Sequence, residues 1–336
     1  MQTRKRKPIY AFFIEHRELP LLAIFMLLLV FVSIRSPGYI QKSWLNVLKN
    51  ASINMVMSCG MLCVLLIGSI DISITAILAF AGCVAGKLMG LGTIQSTFVM
   101  FLLGIGIGAA IGAINGVLTG YGKVISIIVT LGTSYIVRAL IPMEWLMGMT
   151  KVNPTDLTHD YAFFLTENYI LGIPYLVWMA VLVTLLTGVF LRYTRTGRNL
   201  YAVGSNAEAA KMRGVNINRI KVLAHVICGA TAGLAGIMWL SFYNAVEKST
   251  ANGIEMFTIA ACVLGGVSVT GGYGKISGVI IGVIMIAVID NAIPMLNIGN
   301  SMITEFIKGI LLLFAILLNV MLQRLAAKRD LAARNI

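Results

Sequence analysis

The chain has 336 residues, of which 58% are hydrophobic and only 12% charged, with a mean hydropathy of +0.90. A soluble domain carries about 25% charged residues. A water-soluble fold of this length, about two domains at roughly 150 residues each, would have no way to bury so much apolar surface. The composition therefore excludes it and points to an all-α polytopic membrane protein. The net charge of +13 is no nucleic-acid signal. Basic residues gather at 4–7, 192–221 and 324–334, each beside an apolar run, as they do in the cytoplasmic loops of membrane proteins.

In chain order, runs long enough to approach the roughly 20 apolar residues that a spanning helix needs fall at 19–34, 47–67, 72–89, 97–120, 125–143 and 169–191. Beyond the central basic loop they fall at 222–242, 256–269, 276–295 and 302–322. The first run lacks a small-residue cleavage site and continues through Arg35-Ser36-Pro37-Gly38 into the next, so it reads as a retained helix and not a cleaved signal peptide. The run at 256–269 is short and reads as a broken or re-entrant helix. With about ten spans, the three basic clusters all lie on one side of the membrane, whereas dropping one span from either half separates them. The expectation is a single transmembrane domain, 1–336, with cytoplasmic segments at 1–18, 192–221 and 323–336, and both termini in the cytoplasm.

Many of the 34 glycines recur every fourth residue: Gly104, Gly108, Gly112, Gly116 and Gly120; Gly82, Gly86 and Gly90; Gly274, Gly278 and Gly282. Residues four apart share a helix face, and small residues there let backbones approach closely. Tight bundle packing is the plain reading and a moving helix interface the sharper one. The five cysteines, Cys59, Cys63, Cys83, Cys228 and Cys262, lie in apolar runs, and their odd number argues against a disulfide framework. Cys59 and Cys63 have no His or acidic companion and His225 stands alone, so no metal site is expected.

The central basic loop carries a local signature. Ser205 and Glu208 have capping-box spacing, residues 207–213 are mostly good helix formers, and Gly214 is a natural stop. A helix of about two turns is expected from Ser205 to Gly214 in a polar loop. It is either an ordinary surface helix or one that a partner grips.

Glu208-Ala209-Ala210 followed by Gly214 resembles the EAA loop of bacterial ABC importer permeases, and the run GRNLYAVGSNAEAAKMRGV resembles more closely that of the ribose-type sugar permeases. So do GSIDISI at 68–74, GAINGVL at 112–118 with SIIVTLGT at 126–133, and VLGGVSVTGGYGKISG at 263–278; NAIPMLNI at 291–298 is a weaker match. The resemblance, which covers roughly 45–319, implies the permease subunit of an ATP-driven importer for a sugar or sugar-like solute in the bacterial inner membrane. It further implies a second permease subunit, identical or homologous, a cytoplasmic ATPase that binds ATP and Mg, and a periplasmic solute-binding protein. Carried over, Ser205, Asn206, Glu208, Ala209, Ala210 and Gly214 form the helix that couples to the ATPase. There are departures: Ile72 and Thr75 replace the family's Leu and Gly after GxD, a Pro-containing run is missing at 124–130, and Thr304 stands where a Gln is usual.

The chain has no P-loop of its own. Gly272-Tyr273-Gly274-Lys275 comes nearest, but Val269 replaces the first glycine and Ile276 the Ser or Thr. No catalytic residue and no cofactor in this chain is therefore expected. Asp71 is the chief polar residue in an apolar setting; at mid-membrane a carboxylate costs about 2.5–3.5 kcal/mol on insertion scales. It is read as capping the helix after it or as part of the solute pathway, with Ser73, Asn115, Thr130 and Asn291 as further pathway candidates. Asn291 is alternatively a repair of the backbone opened by Pro294. Arg138 with Glu144, and Glu305 with Lys308, are candidate pairs. An ion-coupled secondary transporter is the alternative, but Asp71 and Asp290 are few for a coupling site. An intramembrane protease lacks a G-x-S-x-G context around Ser268 and any motif for a carboxylate dyad.

Overall fold

The computed structural model describes residues 18–36, 39–141, 151–152 and 164–295, with isolated positions between 303 and 321. Proline-free apolar runs fold as the helices α2 (Tyr39–Leu66), α3 (Ile74–Gly90), α4 (Thr97–Gly120) and α5 (Ser126–Leu140), preceded by α1 (Glu18–Arg35). The prolines at 37 and 142 follow closely on the ends of α1 and α5, as expected for a residue that cannot continue a helix. Further along lie the short α6 (Phe164–Glu167), then α7 (Tyr175–Tyr193), α8 (Arg195–Ser205), α9 (Ala207–Met212), α10 (Ile217–Tyr243), α11 (Ile254–Leu264) and α12 (Ile276–Met295).

Sheet structure among the described residues is confined to two small pairings. In the first, β1 (Lys151–Val152) lies antiparallel to β4 (Val246–Glu247). In the second, β2 (Tyr169–Ile170) turns through Leu171 and Gly172, both at positive φ, into β3 (Ile173–Pro174). This hairpin occupies the start of the span expected at 169–191, so the helix there begins at Tyr175.

Five helical stretches among the described residues are long and apolar enough to cross a membrane: Ser43–Leu66, Thr97–Gly120, Tyr175–Tyr193, Ile217–Tyr243 and Ile276–Ile293. Three further expected spans are shorter helices, α3 with 17 residues, α5 with 15 and α11 with 11. At 1.5 Å per residue α11 rises only about 17 Å, about half the hydrocarbon thickness. The expected last span, 302–322, and the termini lie largely outside the described residues.

The bundle is built around α10, which packs along α4, α2 and α3. Its closest neighbour is α4, and the glycine stripe explains why. The two helices run antiparallel with Gly104 against Gly233, Gly108 against Gly229, Gly112 against His225 and Gly116 against Val222. The fit is reciprocal: a methyl on Gly108 would strike the Gly229 carbonyl, and one on Gly229 would strike the Gly108 carbonyl. At Gly116 it would sit 2.6 Å from the Val222 Cα. The same device joins α3 to α10 through Gly236, and α11 to α12 through Gly265, Gly278 and Gly282. Outward faces of α4, α5 and α7 are apolar and exposed, with Phe98, Ile128, Tyr135, Leu182 and Leu185 among them. That is the surface a bundle presents to lipid or to a second subunit.

Candidate functional site

Between α2 and α3 the chain leaves helical geometry for residues 67–73. Non-helical backbone in a membrane protein is tolerated where protein surrounds it and its polar groups find partners; Asp71 and Ser73 are fully buried here and most of the turn's N–H groups are bonded. Ile67, Gly68 and Ser69 donate back to carbonyls at the end of α2. The N–H of Ile70 donates to Ser126 Oγ at 3.2 Å and that of Ile72 to Thr130 Oγ1 at 3.1 Å, both on α5. Ser73 N–H donates to Asp71 Oδ1 at 2.9 Å, and Ser73 Oγ donates to the same oxygen at 2.6 Å. The chain of bonds continues from Asn115 Nδ2 to Ser73 Oγ, 2.9 Å, and from Thr133 Oγ1 to Asn115 Oδ1, 2.6 Å.

Asp71, Ser73, Asn115 and Thr130, picked from sequence as separate polar positions, thus meet in one cluster fed by the 67–73 turn, α4 and α5. All four are fully buried. Asp71 Oδ2 has no hydrogen-bond partner among the described residues. The expected capping by Asp71 takes a different form: it closes a turn onto Ser73, which is itself the N-cap of α3 and makes no side-chain bond to the helix. Asn291 does not join the cluster. It sits on α12, which packs on α2 and α11, and its Oδ1 is unpartnered among the described residues.

A second polar group, missed in the sequence, lies beside the first. Thr75 Oγ1 donates to Glu255 Oε2 at 2.7 Å, Glu255 also accepts the Gly253 N–H at 3.0 Å, and Arg138 Nη2 donates to Thr75 Oγ1 at 3.1 Å. Arg138 also reaches the Lys248 carbonyl at 2.6 Å and that of Thr250 at 3.2 Å. Its expected partner Glu144 lies outside the described residues, as do Glu305 and Lys308. The usable signal was the SIIVTLGT run, which carries Thr130 and Thr133 one turn apart on α5.

At the basic end of the bundle, α8 and α9 form a bent pair. Thr194 caps α8 by accepting the Gly197 N–H, and Asn206 caps α9 by accepting the Ala209 N–H at 2.9 Å. The capping box expected from Ser205 and Glu208 does not form, because α8 runs through Ser205 and Asn206 is the first residue free to cap. Gly214, at φ 80, ends the unit. Only Ala210 of α9 is buried; Glu208, Ala209 and Met212 are exposed. Ser205, expected to start this helix, instead leans back, its Oγ 3.4 Å from the Gly272 carbonyl.

That contact belongs to a three-way junction. Gly272 N–H donates to the Leu66 carbonyl at 2.9 Å, at the root of the 67–73 turn. Gly204 lies so close to Leu66 that a Cβ there would overlap its carbonyl, and Gly271, at φ 90, packs on Gly68. Tyr201 Oη donates to the Gly274 carbonyl at 2.9 Å. Burial pushes the Tyr201 phenol up to about 12, so it remains a donor throughout the neutral range. The exposed helix α9 is therefore tied through α8 and the 268–275 turn to the turn that carries Asp71.

His225 is fully buried, with Nδ1 2.9 Å from the Lys221 carbonyl, and all five cysteines are free and buried. Among the described residues no His, Cys, Asp and Glu side chains gather in a group able to hold a metal ion.

A helical bundle of membrane-spanning length, with an enclosed broken helix tied to an exposed helix at its basic end, has the form of a membrane permease. Residues 43–316 match the family described as branched-chain amino acid transport system / permease component, and the chain belongs to it. Its relatives lie among the sugar ABC permeases. It is 33% identical over 297 residues to the ribose import permease RbsC of Escherichia coli K12, covering 88% of this chain and 91% of that one. To the ribose import permease RbsC of Bacillus subtilis it is 35% identical, covering 89% and 91%. The L-arabinose ABC transporter permease AraH of Azospirillum brasilense is 33% identical, over 88% and 85%. No solved structure matches the chain.

Proposed function

We propose that the chain is the transmembrane subunit of an ATP-driven importer that carries a sugar across the bacterial inner membrane in about ten spans, with both termini in the cytoplasm. A second permease subunit, identical or homologous, completes the pathway against the exposed apolar faces of α4 and α5. ATP and Mg bind a separate cytoplasmic ATPase, and a periplasmic binding protein delivers the solute. The ribose and L-arabinose permeases among its relatives support a pentose-sized substrate.

The observation that carries this reading is the junction. Movement of α9 and α8 against the ATPase is passed by the Gly204–Leu66–Gly272 contact to the 67–73 turn, which holds Asp71 and Ser73. Ser73, Asn115, Thr130 and Thr133 are hydroxyl and amide groups of the kind that recognise sugar hydroxyls. Buried in one another in the described conformation, they reach solute when the turn shifts and α5 separates from α4.

The test is a Glu208→Ala, Gly214→Ala double variant, reconstituted with its ATPase and binding protein. Glu208 is exposed in the first turn of α9, and alanine at the φ of Gly214 is strained by about 1 kcal/mol. ATP hydrolysis that no longer responds to loaded binding protein, together with lost uptake, is the expected result. Wild-type values of both would reject α9 as the coupling helix.

A further inference from the structure

At the basic end, α8, residues 213–216 that close α9 and lead on from it, and the start of α10 line a groove of about 440 Å³. Arg195 and Arg198 of α8 line it together with Arg213 and Arg219, and Asn199 and Asn216 add to its polar lining. The four arginines are exposed. Arg198 donates to the Arg192 carbonyl at 3.5 Å, and among the described residues no carboxylate lines the groove. The N-terminus of the 27-residue α10 adds the positive end of its dipole. Four forked cations around one concavity, with no anion among the residues that line it, are complementary to a phosphate.

The groove's position favours one source of that phosphate. It lies where two helices of membrane-crossing length end and begin, at Tyr193 of α7 and Ile217 of α10, and the ends of spanning helices fall near the lipid headgroups. The later turns of α7 expose Leu182, Leu185, Leu186 and Val189 in a continuous apolar stripe leading to Tyr193, which is itself 67% exposed. Acyl chains laid along that stripe put a headgroup within reach of Arg195 and Arg198. We infer that this groove is a binding site for an anionic phospholipid, its phosphate held by Arg195, Arg198, Arg213 and Arg219 and its acyl chains lying along α7. The site is distinct from the sugar pathway and does not depend on the substrate. Basic pockets at helix ends on the inner leaflet recognise anionic lipids in this manner.

The full chain is purified in detergent with equal phosphatidylglycerol and phosphatidylcholine, and retained lipid is counted by native mass spectrometry. The wild type is expected to retain phosphatidylglycerol preferentially. An Arg195→Gln, Arg219→Gln variant, which removes one cation from α8 and one from α10, should lose about tenfold of that preference. A variant with Arg4, Lys5, Arg6 and Lys7 all changed to Gln, which removes more charge elsewhere, should keep it. Equal loss in both variants, or in neither, overturns the site. Displacement of the lipid by millimolar inorganic phosphate or ATP assigns the groove to a soluble anion and overturns the lipid assignment. So does unchanged lipid preference in the Arg195→Gln, Arg219→Gln variant accompanied by loss of ATPase co-purification, which assigns the groove to a protein partner.

Discussion

Asp71 uses one carboxylate oxygen for two hydrogen bonds and leaves the other buried without a partner among the described residues. The two roles separate by substitution. Asp71→Asn keeps an acceptor for the Ser73 N–H and removes a buried charge, so the protein should melt at or above the wild-type temperature. Asp71→Ala strands that N–H in the interior and should cost about 1–3 kcal/mol. Thermal unfolding in detergent distinguishes them, and a normal melting temperature for the alanine variant would contradict the bracing role. Lost uptake by a stable Asp71→Asn would show that the charge itself serves transport. Polar residues in apolar runs must find partners, which is why Asp71, Ser73, Asn115 and Thr130 stood out in the sequence. Their partners came from three separate segments, so Thr133, Glu255 and the true contacts of Arg138 did not. The expected Ser205 cap of α9 failed for a related reason. Ser205 and Asn206 are both good caps, and the choice was made by Gly204 and Tyr201 packing on the 268–275 turn, which draws Ser205 into α8.

Helices were legible where composition alone decides them, as in α4, α7, α10 and α12, and less so where a helix is broken. The 67–73 run mixes Ile67, Ile70 and Ile72 with Gly68, Ser69, Asp71 and Ser73, and hydropathy carries no record that Gly68 takes a positive φ there. The short α11 betrayed itself by length, but its return through the 268–275 turn did not. The fourfold glycine spacing was the most informative pattern. It marked the face without naming the facing helix, which turned out to be α10. Neighbouring glycines of α4 give a sharp test. Gly108→Ala drives a methyl into the backbone of Gly229, whereas a methyl added at Gly106 meets nothing within 4 Å. Overpacking of a tight seam costs about 1–3 kcal/mol, so Gly108→Ala should fall in melting temperature and folded yield while Gly106→Ala matches the wild type. Equal behaviour of the two would mean that α4 and α10 are not in backbone contact.

For the molecule as a whole, the distribution of charge says more than its sum. The +13 resolves into basic clusters beside apolar runs of the sequence, and the central one contains both α9 and the arginine groove. Reconstituted by itself in vesicles, the chain should not concentrate ribose or arabinose against a gradient. Adding its ATPase, binding protein and ATP should restore accumulation, and unaided accumulation measured with radiolabelled sugar would favour an ion-coupled carrier. The glycine seam has a further bearing on how the bundle can rearrange. With main chain resting on main chain at Gly108, Gly112 and Gly116, α4 and α10 are closely interlocked. Sliding one past the other would drive backbone into backbone, so rearrangement of the bundle is expected at other joints, above all the thinly packed α5 and the unwound stretch it steadies.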